Sequence, residues 1–202
     1  MIGCGAMVVF FALILVIGWL FFDEDDWIGL EWKEEKKMKN KDRLHRSSLK
    51  ILGFEFADGR KMLEMLKQNN ERRYPLDGGV RLSIVTNQGT LHVQTAPGFV
   101  FDGRSGTKIV DWYAPNLGNI YEKMSWLTHD CNGYGQDLSF KDTNVLLYAM
   151  LRDLADYRPS KCAVIQLAVS LSDSWYGEPE PSDWCYANRK LVSTLWIPKE
   201  VA

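Results

Sequence analysis

Five side chains in the second half of the chain have types and spacing that can do chemistry together: Asp102, Ser105, His129, Asp130 and Asp142. A neutral imidazole nitrogen and two or three ionised carboxylates are suitable ligands for a divalent metal, and an open coordination position would activate water for hydrolysis. A metal set would draw on Asp102, His129, Asp130 and Asp142; a catalytic set would draw on His129, Asp130 and Ser105. The structural alternative is that Asp142 caps its own helix, Asp130 pairs with a basic group or a backbone donor, and His129 fixes packing by hydrogen bonds. Ser105 is a turn former before it is a nucleophile, because a hydroxyl after Asp102-Gly103 readily bonds nearby backbone. Hydrolases built on a His-Asp dipeptide need further histidines, and this chain offers only His45 and His92 elsewhere. The structural alternative therefore takes precedence. No cofactor is expected, and a divalent metal is the one option left open.

Other signatures are missing. There is no phosphate-cradling glycine loop, no serine-centred nucleophile elbow and no H-E-x-x-H. Cys131, Cys162 and Cys185 are an odd set without C-x-x-C spacing, which indicates neither a zinc ribbon nor a closed disulfide framework. A cysteine nucleophile at Cys131, close to His129, lacks the motifs of known cysteine enzymes. The net charge of -2 gives no basic excess to attract nucleic acid along the whole surface, so nucleic acid is not an expected partner.

The elements that must position these residues are legible in the periodicity. Residues 27–70 read as a helical stalk, with Met62, Leu63, Met65 and Leu66 as an apolar stripe after a cap at Asp58. Pro75 and Gly78-Gly79 break the pattern, which puts the start of the main domain at residue 75. Leu82 and Ile84, then Leu91 and Val93, alternate with polar residues around Thr86-Asn87-Gln88-Gly89, a β-hairpin with His92 on its polar face. Phe99 to Phe101 reads as a third strand delivering Asp102 and Ser105. A helix is predicted over 120–130 and a loop over 131–139. A second helix is capped by Ser139 with Asp142 at the capping-box position, burying Val145, Leu146, Ala149, Met150 and Leu154. A third follows Pro159, with Val164, Leu167, Ala168, Leu171 and Trp175 as its stripe and Gly177 as its stop. A last strand is expected over 191–197. Strands first and helices afterwards predict an α+β fold, a small antiparallel hairpin sheet packed with about three helices.

At the polar residues the chain resembles a small family carried by phages and prophages, domain of unknown function 1353. Its members pair an Asp-Gly-x-Ser-x-Pro turn after a hairpin with a His-Asp dipeptide on a helix and a further Asp opening the next helix. Here these are Asp102-Gly103-Arg104-Ser105, His129-Asp130 and Asp142, over about residues 80–172. Thr107 stands in place of the proline, and the aromatic that usually follows the dipeptide closely comes only at Tyr134. The family has no assigned activity, so the resemblance implies phage association and a shared polar cluster.

The first 22 residues lie outside that resemblance. From Ile2 to Phe22 no charged side chain interrupts an apolar run through Val8, Phe11, Leu15 and Trp19, the length a helix needs to span a bilayer. Trp19 to Phe22 leads straight into Asp23, without the small-residue cleavage site of a signal peptide. The expected organisation is a transmembrane anchor over 1–22, a charged helical stalk over 23–74 and an α+β domain over 75–202. Basic residues from Lys33 to Lys50, with none before the run, place the domain on the cytoplasmic face or its equivalent in a virion membrane. The expected partners are the lipid bilayer and other phage proteins, with a homo-oligomer an open option. The expected function is a single-pass, membrane-associated structural or interaction component of a phage. The alternative is a metal-dependent hydrolase acting on the host envelope.

Overall fold

The computed structural model describes residues 44–67, 73–101, 118–135, 137–170 and 187–199, all within one compact unit, Asp42–Ala202. The elements in chain order are β1 (Ile51–Asp58), α1 (Arg60–Met65), β2 (Tyr74–Pro75), β3 (Arg81–Thr86), β4 (Gly89–Thr95), β5 (Val100–Phe101), α2 (Ile120–Gly135), α3 (Phe140–Asp153), α4 (Pro159–Ser170) and β6 (Val192–Pro198). The fold is α+β: an antiparallel sheet in the order β1-β3-β4-β6, a two-stranded β2-β5 pair, and several helices. The apolar run over 2–22 lies outside the described residues, among which no helix is long and apolar enough to cross a membrane.

The hairpin forms as its alternation dictates. Leu82 pairs with Val93 and Ile84 with Leu91, all four buried, while Ser83 and His92 pair on the opposite face. Thr86 closes the two-residue turn, its Oγ1 accepting the N–H groups of Gln88 and Gly89 at 3.0 Å each. Gly89 is required there: a Cβ would sit 2.5 Å from Ile197 O and from the Trp196 ring on the neighbouring β6.

Residues 51–58, read above as helix, are instead strand β1, paired with β3 through Phe54↔Ile84 and Phe56↔Leu82. The two phenylalanines around Glu55 carry period-2 alternation, and Phe54 packs edge-on against Tyr121 of α2. The domain therefore begins well before residue 75. Asp58 is not a cap: it ends β1 and pairs with Arg81, and Gly59 (φ 84°) starts α1 without a side-chain bond. Of the expected stripe only Leu63 is buried, and Met65 is 74 % exposed. The short α1 is held from outside by Lys123, whose ammonium donates to Glu64 O (2.8 Å) and Leu66 O (2.9 Å), cationic support for the carbonyls at a helix C-terminus.

Helix α2 is the central element, with every residue from Glu122 to Tyr134 buried. Asn119 Oδ1 accepts Glu122 N–H at 2.9 Å and the Glu122 carboxylate accepts Gly118 N–H at 2.5 Å, a reciprocal start of capping-box type. The helix runs on to Gly135 rather than giving way to a loop after Asp130. Gly135 packs directly on Thr194 of β6, a contact that a Cβ would block. Ser139 caps α3 as expected, accepting Asp142 N–H at 3.1 Å, and Val145, Leu146, Ala149 and Met150 are buried. In α4 the buried stripe is Cys162, Ile165, Ala168 and Val169. Val164 and Leu167 are only half-buried, a rotation by about one residue; Leu171, Trp175 and Gly177 lie outside the described residues. Strand β6 then returns to the sheet beside β4, so the last strand completes a layer begun before the helices.

Candidate functional site

The described part of the polar cluster is built on three helices. His129 and Asp130 sit mid-way along α2, and Asp142 sits in the first turn of α3. Asp102 and Ser105 lie outside the described residues. His129 Nε2 is 3.0 Å from Asn144 Oδ1 on α3, and Asn144 Nδ2 donates to Ser170 Oγ on α4 at 3.2 Å. A polar line thus crosses α2, α3 and α4 through the apolar core. His129 Nδ1 lies 3.3 Å from Asp130 Oδ1, with both side chains buried, and the imidazole stands edge-on to Trp126 at 6.1 Å. Both ring nitrogens therefore have oxygen neighbours.

Asp142 is engaged differently. Its Oδ1 accepts the N–H of Leu44 at 3.0 Å, across 98 positions of sequence, and its Oδ2 accepts from Ser139 Oγ at 2.8 Å. The carboxylate thus fixes the start of α3 and pins the segment before β1 to it. A like function falls to Asn132, which the sequence reading passed over: it is fully buried, accepts Leu138 N–H at 3.2 Å, and donates to Leu138 O (3.2 Å) and Thr143 Oγ1. Asn132 and Asn144 sit at buried positions of α2 and α3, and a buried amide must find hydrogen-bond partners, which is the signal that finds them. Asn188 plays the same part at β5, accepting Val100 N–H (3.0 Å) and donating to Val100 O (2.5 Å).

No group of three or more His, Cys, Asp or Glu side chains placed to hold a metal ion occurs among the described residues. Burial pushes the Cys131 thiol well above its ordinary range, and the nearby Asp130 adds to the rise, so the thiol stays protonated and un-nucleophilic at neutral pH. Cys162 is likewise pushed up, by burial, to about 11. Burial draws the Lys123 ammonium down, with Glu64 opposing. Among the described residues, three buried side-chain atoms, Thr128 Oγ1, Thr194 Oγ1 and Trp196 Nε1, have no hydrogen-bond partner.

No protein-family model, curated protein or solved structure significantly matches the chain. The phage-family resemblance rests on the short motifs quoted above, of which the described residues hold His129-Asp130 and Asp142.

Proposed function

We propose that this chain is a membrane-tethered structural or interaction component of a phage, whose folded domain carries its Asp/His cluster as framework rather than as a catalyst. The supporting observation is the commitment of Asp142, both of whose oxygens hold the protein's own donors, one of them the distant Leu44 N–H. The partners this reading assigns are the bilayer, through Ile2 to Phe22, and other phage proteins or a second copy, through the domain. Nucleic acid has no part in it. The hydrolase alternative needs His129 and Asp130 released from their present hydrogen bonds toward Asp102, and no observation favours it.

The tether is tested by alkaline carbonate extraction of membranes carrying the full chain. Exposing about twenty apolar residues to water, at roughly 25 cal/mol per Å², costs far more than surface attachment supplies. The chain should stay with the membrane, and recovery in the aqueous fraction without detergent would contradict the tether.

A further inference from the structure

One corner of the sheet combines exposed apolar and basic side chains. The β3–β4 turn gathers two separate segments there by hydrogen bonds from its side chains and backbone. Gln88 Oε1 accepts His45 N–H at 3.0 Å, Asn87 Oδ1 accepts Lys50 N–H at 2.8 Å, and Gln88 O accepts Lys199 N–H at 2.9 Å. The segment just before β1 and the residue just after β6, the two edge strands, are thereby fixed at the same end of the sheet, with both lysine side chains exposed. On the sheet face next to them, Val85, Thr90 and Ile197 lie in one cross-strand row with Gly53, and Leu52 occupies the adjoining bulge of β1. Leu52 is 62 % exposed and Ile197 48 %. Asp153, the carboxylate that accepts Ile51 N–H beside Lys50, is hydrogen-bonded to Arg152 and takes only a smaller electrostatic contribution from Lys50. In sequence, the stretch from Lys33 to Arg43, outside the described residues, holds six Lys and Arg against Glu34, Glu35 and Asp42.

Two exposed apolar side chains flanked by lysines, where the basic stretch meets the domain, match a negatively charged lipid surface in both charge and polarity. We infer that this corner, Lys50 and Lys199 with Leu52 and Ile197, docks onto the anionic surface of the bilayer to which the chain is tethered. The inference rests on the membrane-tether reading. The lysines supply attraction that salt screens within about 8 Å at physiological ionic strength, and the two apolar side chains enter the headgroup region. Met65, 74 % exposed at the end of α1 beyond the far end of β1, remains in water and serves as an internal reference.

The test is hydroxyl-radical footprinting of the full chain reconstituted in phosphatidylcholine vesicles and in vesicles with one third phosphatidylglycerol. Oxidation of Leu52 and Ile197 should fall severalfold only in the anionic vesicles, with Met65 unchanged, and Lys50→Glu/Lys199→Glu should restore it. Equal oxidation in both vesicle types, whether high or low, would overturn the docking, as would protection that survives the charge reversal. Circular dichroism of the variant confirms its fold. Carbonate washing of the same vesicles separates the two readings. If the chain washes off, the tether fails; affinity of the washed chain for anionic vesicles in sedimentation, lowered at least about fivefold for each lysine reversed, then supports docking by itself. Its absence overturns docking as well.

Discussion

The inner face of the sheet and the seam between α2 and α3 are equally dry, yet different forces hold them. Across the sheet, Leu82, Ile84, Leu91 and Val93 contribute apolar area, in which neighbours of similar volume can substitute for one another. Along the seam Asn132, Asn144, His129 and Asp142 place hydrogen bonds on particular atoms of Leu138, Leu44 and one another. Area gives stability with little direction. Buried polar groups give direction, because an unpaired partner carries its full desolvation cost.

The largest effect should come from the sheet side. Ile84→Ala opens a cavity at a fully buried position and should cost about 3 to 4 kcal/mol in denaturant unfolding of the full chain in detergent, whereas Ile84→Leu should cost less than about 1.5 kcal/mol. On the seam the order of tolerance reverses. Asn132→Leu keeps the volume but strands the N–H and C=O of Leu138, at about 2 to 3 kcal/mol. An Asn132→Leu chain as stable as the native one would mean that area holds the seam too.

A smaller effect is expected at Asp142. Asp142→Ala removes the acceptor of Leu44 N–H and should cost about 1 to 2 kcal/mol, while Asp142→Asn retains a carbonyl oxygen and should lose less. Hydrogen exchange at Leu44 reads the difference directly: it should quicken in the alanine variant and stay slow in the asparagine one.

The smallest effects are on the pH profile. Burial raises the Asp153 carboxyl, but hydrogen bonds from Arg152 and Ile51 N–H and the Arg152 charge outweigh it, and the net result lies below the ordinary value of 3.8. That stabilisation is present above 3.8 and lost as pH falls through the folded-state value, so Asp153→Asn should flatten the acid limb of the stability curve. At the alkaline end the sign reverses for Cys162. Its stabilisation is whole below pH 9 and lost toward about 11, where the unfolded chain ionises first, and Cys162→Ala should remove that part of the decline.

What the sequence disclosed follows the same division. The hairpin was legible because Leu82, Ile84, Leu91 and Val93 alternate over a half-buried sheet, and the α3 start because Ser139 and Asp142 have capping-box spacing. Strand β1 was hidden by the charged stretch before it, although Phe54-Glu55-Phe56 carries the alternation. The extension of α2 to Gly135 was hidden because Gly133 and Gly135 read as breakers, while close packing of Gly135 on Thr194 offsets the low helix propensity there. The contact of Asp142 with Leu44 was out of reach, since no local pattern reports a partner 98 residues away.

Whether the cluster is framework or catalyst is decided most directly by thermal unfolding of the full chain in detergent, with and without added manganese or zinc, for the native protein and His129→Ala. A framework cluster should leave the native melting temperature unchanged by metal, while His129→Ala lowers it by several degrees whether metal is present or not, because Asn144 loses a buried partner. A native melting temperature that climbs with metal concentration, with that climb abolished in a still-folded His129→Ala chain, would contradict the framework role and establish a metal site.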